Sequence, residues 1–117
     1  MATLRELTEA IQQRPGVLSV VILGADGLVI ETHHAGHDHA ETLAARVPAV
    51  ARAARQLGDA AELGEAQLVL LELDQGYCIV LRLSAHAMLF ISASHAVALG
   101  ELLYDLRRHR APMSALV

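Results

Sequence analysis

Residues 39–57, HAETLAARVPAVARAARQL, decide how this chain must fold. Wound as a helix at about 100° per residue, Leu43, Ala44, Val47, Val50, Ala51, Ala53, Ala54 and Leu57 share one arc of roughly 180°. A helix seated on a single core needs a stripe of about 100°. The excess points to contact with something besides its own domain. Arg46 lies inside the arc, while Glu41, Arg52, Arg55, Gln56 and Asp59 lie outside it. The plainer explanation is that Ala is the best helix former and costs little anywhere. Pro48 sits mid-helix, where its ring displaces the Ala44 carbonyl. The arc stays in phase across it, so a kink is expected rather than a break.

The flanking segments supply the surface on which such a helix lies. Thr3 and Glu6 read as a capping box, and Leu4, Leu7, Ala10 and Ile11 as the stripe of a short helix stopped at Arg14-Pro15-Gly16. Residues 17–23 (VLSVVIL) are apolar almost throughout, which implies a strand covered on both faces. Residues 24–27 (GADG) carry turn chemistry, and 28–32 form the return strand. A polar loop, 33–39 (HHAGHDH), leads to the central helix with Asp38 as its N-cap. Residues 66–73 (AQLVLLEL) and 77–83 (YCIVLRL) pair through a turn at 74–76, and 88–93 (MLFISA) follows a second turn. The spacing of Leu99, Leu102, Leu103 and Leu106 predicts a last helix over 97–110, ended by Pro112. Arg107, Arg108, His109 and Arg110 then complement the dipole of its last turn. The order is α-β-β-α-β-β-β-α: a five-stranded antiparallel sheet with helices over both faces, an α/β sandwich of the α+β type.

Composition narrows the function classes. The 117 residues fit one domain, 1–117, and the chain is 54% apolar but only 3% aromatic, so its core is mostly aliphatic. No run approaches the eighteen or so apolar residues of a membrane span, and Glu6 and Glu9 stand where a signal peptide carries basic residues. A net charge of −4 argues against broad nucleic-acid binding. The single Cys78 excludes an internal disulfide and suits a reducing, cytoplasmic setting. Lysine is absent, which removes the phosphate-loop motif and Schiff-base chemistry.

Taken in order, Pro15-Gly16-Val17, Asp26-Gly27-Leu28, the Ala-rich central helix, Gly64, Gly76, Met88-Leu89-Phe90-Ile91 and Gly100 resemble the Roadblock/dynein light chain family, in particular its bacterial MglB-like members. Pro48 and the histidine-rich loop depart from that pattern. The resemblance implies a profilin-like sandwich with sheet order 2-1-5-4-3 and a homodimer in which the third strands pair and the central helices pack. It also implies a module without catalysis of its own or a cofactor, which binds a Ras-like small GTPase and alters its hydrolysis, exchange or location. The alternative is a purely structural subunit of a larger complex.

The residues support the dimer independently. Strand 66–73 carries one charge, Glu72, and neither Pro nor Lys, so as a bare edge it is an aggregation hazard that pairing with its own copy removes. The expected interface comprises Leu43, Arg46, Val47, Val50, Ala51, Ala54 and Leu57 of the helix with Leu68, Leu70 and Glu72 of the strand. Arg52, Arg55 and Gln56 flank it as partner-binding candidates. An arginine within the apolar arc must be paired or sit at a rim. His33, His34, His37 and His39 have the residue types for a metal site or a pH sensor, but no CxxC or second histidine cluster completes a cage, and a solvated loop is the simpler reading. Cys78 reads as a buried strand residue. Glu31, Glu72, Asp26 and Asp74 sit at turns or strand ends with nothing to bring two together for acid–base work.

Overall fold

The chain forms α1 (Leu4–Gln12), β1 (Val17–Gly24), β2 (Val29–His33), α2 (His37–Ala60), β3 (Leu68–Leu73), β4 (Gly76–Arg82), β5 (Ala87–Ala93) and α3 (Leu99–Ser114). These elements come from a computed structural model that describes residues 2–33 and 37–117, with the side chains of His37 and Asp38 outside the description. The five strands make one sheet in the order β2-β1-β5-β4-β3, every neighbouring pair antiparallel. The element order is that expected from the sequence, and the sheet order is that implied by the family resemblance.

The period of two along each strand sorts the apolar residues between two layers. Val20 and Ile22 of β1, Ile79 and Leu81 of β4, and Leu89 and Ile91 of β5 face α1 and α3, where they meet Leu102, Leu106 and Met113. Val21, Leu23, Val80, Met88 and Phe90 face α2. This double burial is why β1 and β5 carry continuous apolar runs. Leu18 is the exception, 51% exposed where the β1–β5 register shifts. Ser19, also buried, places its hydroxyl 2.5 Å from that of Ser92.

Local chemistry fixes the joints. Thr3 accepts a hydrogen bond from the Glu6 N–H at 3.2 Å, and its hydroxyl donates one to the Glu6 carboxylate at 3.1 Å. The capping box is thus met on its threonine side. Gly16 has φ +91°, and a Cβ there would lie 2.5 Å from the Val97 nitrogen, so both conformation and space demand glycine. Arg14 forms an ion pair with Asp105, tying the end of α1 to α3.

Three helix ends differ from the sequence reading. α2 begins at His37, so Asp38 lies in its first turn rather than at the N-cap. α3 starts at Leu99, with Ala98 as an N-cap that offers no side-chain bond. It also runs through Pro112 to Ser114 instead of stopping there. Met113 explains the extension: it is fully buried in the α1/α3 layer, and its packing holds the last turn despite the missing N–H of Pro112. The arginine-rich run therefore falls one turn short of the helix end.

α2 passes through Pro48 without a break. Beside it, Gly27 (φ +86°) brings the β1–β2 turn so close that an added Cβ would lie 3.4 Å from the Ala44 carbonyl oxygen and 3.6 Å from Pro48 Cγ. The carbonyl that Pro48 deprives of its helical donor is therefore packed under a turn.

Candidate interaction surface

One helix, α2, covers the sheet face that α1 and α3 leave free, and it does not cover all of it. Ala40, Ala44 and Val47 are buried against the sheet, with Leu43, Val50 and Ala51 half-buried beside them. The rest of the apolar arc is bare. Arg46, Ala53 and Leu57 are exposed, Leu57 by 71%, and with Val50 they recur at spacings of four, three and four. That is the spacing of a helix–helix seam. Ala54 is half-buried at its inner margin.

A second uncovered feature is the open edge of the sheet. β3 pairs with β4 alone, so its outer N–H and C=O groups have no strand partner within the chain. Val69 packs on the α2 side and Leu68 on the α1/α3 side. By alternation, Leu71 and Leu73 share the α2 face with Val69, while Leu70 and Glu72 share the opposite face with Leu68. Leu70, Leu71 and Leu73 are 39%, 39% and 51% exposed, and Leu63, in the α2–β3 connection, is 85% exposed.

Of the residues expected at the interface, then, Arg46, Val50 and Leu57 gather along one flank of α2. Val47 and most of Ala51 are spent on the sheet. Leu68, Leu70 and Glu72 belong to the edge strand but to its other face. The sequence reading missed Leu71 and Leu73, the β3 side chains that extend the α2 side. The signal was available: Val80 and Cys78, their β4 neighbours in register with Val69 and Leu71, alternate with the residues that meet α1 and α3. Arg46 is exposed rather than embedded in the arc, so burial imposes no charge penalty on it. Arg52 and Arg55 lie on the other flank of α2, and Gln56 is exposed.

Cys78 is half-buried rather than buried, opposite Leu71, and removal from water pushes its thiol pKa above the ordinary value. Asp26 accepts from the Leu28 N–H at 3.0 Å, a turn role, and Glu31 lies 3.7 Å from His33. Glu72 and Asp74 are exposed on and just after β3. Among the described residues no three His, Cys, Asp or Glu side chains converge as a metal site. The proposed histidine set itself falls outside those residues, since it needs His34 and the His37 side chain. In the α3 run, Arg108 stacks over Tyr104 at 5.8 Å, and Arg110 bonds the Arg82 carbonyl at 2.8 Å and the Gln67 side chain. Arg110 is therefore an internal tie.

A family model for the Roadblock/LC7 domain matches residues 3–93. The chain belongs to the Roadblock/LC7 family. The match ends with β5, before α3. Among solved structures, a Roadblock/LC7 domain from Streptomyces avermitilis is similar with a TM-score of 0.88 at 24% identity, covering 97% of each chain. MglB from Myxococcus xanthus is similar with a TM-score of 0.86 at 10% identity, over 97% of this chain and 93% of that one. The gliding protein MglB from Thermus thermophilus has a TM-score of 0.84 at 17% identity, over 99% and 92%. These likenesses carry through α3 and establish the fold. No curated protein sequence matches. Among the described residues, no helix is long and apolar enough to cross a membrane.

Proposed function

We propose that this chain is a non-enzymatic homodimeric module that binds a Ras-like small GTPase and regulates its nucleotide cycle or location. The observation that carries the dimer is the uncovered stripe Arg46, Val50, Ala53 and Leu57 together with a β3 edge whose α2 side bears the exposed Leu71 and Leu73. An apolar surface of this extent is an interaction site or a liability. Pairing β3 with its own copy about a two-fold axis satisfies the free backbone groups and brings a second α2 over the stripe. Arg46 then stands at the rim, where a guanidinium remains hydrated and can engage a carboxylate.

The GTPase reading is supported by membership of the Roadblock/LC7 family and by the likeness to MglB structures. The action suited to a helix-and-strand surface of this kind is to bind switch loops and shift their order. Light scattering at micromolar concentration tests the dimer. For the partner, the nucleotide hydrolysis and exchange rates of a Ras-like GTPase encoded beside this chain are measured with and without it. A change in either rate, or binding that depends on the nucleotide, supports the regulator. Nucleotide-independent binding with unchanged rates selects the scaffold reading instead.

A further inference from the structure

The second flank of α2 carries a different feature. A groove of about 310 Å³ lies between this flank, the start of β3 and the β4–β5 turn. Its apolar lining includes Ala51, Val69, Val80 and Met88; Arg52, Arg55 and Arg82 supply its cations, and Glu65 is its one acid. Arg82 Nε lies 3.9 Å from the Glu65 carboxylate, which leaves two positive charges in excess. Neither Arg52 nor Arg55 has an ion-pair partner among the described residues. In a chain whose net charge is −4, this is a local reversal of sign. On the helical wheel Pro48, Arg52 and Arg55 lie roughly 160° from the Arg46–Val50–Ala53–Leu57 stripe. The groove therefore lies on the flank of α2 opposite that stripe, with Leu68 and Val69 of β3 at its border.

We infer that this groove is a binding site for a small amphipathic anion, an apolar body of several carbons bearing one carboxylate or phosphate. The volume is at the lower end of small-molecule pockets, about 300–1,000 Å³, and an apolar lining with a few polar groups is their usual chemistry. Two neighbouring guanidiniums favour an oxygen anion, which they can bind through paired N–H donors. The wall of Val69, Val80 and Met88 takes the apolar body out of water. Concavity favours a small molecule over a protein surface. The depression on the outer face of α3, at Leu103, Tyr104 and Arg108, is more open to solvent and encloses a ligand less. This inference stands apart from the GTPase reading and holds whichever partner the dimer seam serves.

The test is a titration of the isotopically labelled 117-residue chain with octanoate, followed by amide shifts, and with n-octanol as its uncharged counterpart. Saturable shifts confined to residues 51–55, 65–69 and 82–88, with octanol and the Arg52→Gln/Arg55→Gln variant each weaker by roughly tenfold, are expected from loss of charge-assisted bonds. Equal binding of octanol and octanoate overturns the site. So do shifts centred on Leu57, Leu71 and Leu73, or no saturation at millimolar octanoate. Both arginines are exposed, so the variant is expected to fold, and the octanol arm decides the matter without it. Light scattering on the same samples reports the dimer separately.

Discussion

The two faces of the sheet are built to different degrees of completion. On one, α1 and α3 together enclose Val20, Ile22, Ile79, Leu81, Leu89 and Ile91, all at most 1% exposed. On the other, α2 alone seals Val21, Leu23, Val80 and Phe90, then leaves bare leucines on its flank and on β3. Stability of the single chain therefore resides mainly in the first face. Under the proposed function, association and recognition fall to the second, whose uncovered leucines a partner would bury.

Breaking the closed face has the largest expected effect. Ile91→Ala removes a fully buried side chain from the centre of the sheet and should cost about 2–5 kcal/mol through lost transfer energy and a residual cavity. Urea unfolding should show it at every protein concentration. Val50→Glu strikes the open face. It sets a carboxylate into the seam, and the dimer should dissociate at micromolar concentration by light scattering, while far-ultraviolet dichroism stays helical. A dimer that survives this change places the seam elsewhere.

A finer probe is Cys78, on the open side of β4. Its pKa is raised by burial, so less thiolate is present near pH 8 than for a free cysteine, and iodoacetamide should modify it more slowly, accelerating in urea. Because the folded form holds the proton more tightly, stability should fall as pH rises through and beyond the ordinary thiol range, and Cys78→Ser should flatten that slope. Leu57→Ser is the smallest change for the single chain. At 71% exposure it should alter unfolding of a dissociated chain by no more than about 0.5 kcal/mol, yet weaken dimerisation measurably by sedimentation. An equal effect on both would mean that Leu57 is packed within its own chain.

Much of this design was legible in the residues. The continuous apolar runs of β1 and β5 required two covered faces, the Pro15-Gly16 and Gly24–Gly27 breaks set the joints, and the overlong arc of α2 announced an unfilled contact. Side-chain period and turn chemistry are local, so the sequence carries them directly. What was misjudged depended on distant contacts. The passage of α3 through Pro112 is held by Met113 in a core assembled from both ends of the chain. Which of the β3 leucines share a layer with α2 was likewise not legible, because a one-residue offset flips a strand's faces.

The sequence by itself determined the elements, their order and the existence of surplus apolar surface, since propensity and periodicity act over a few residues. Only the tertiary structure decided which side of α2 and of β3 that surplus occupies, and that the other flank of α2 holds an arginine-lined groove. Those placements depend on where the helix crosses the sheet, which is set by packing among residues far apart in the chain.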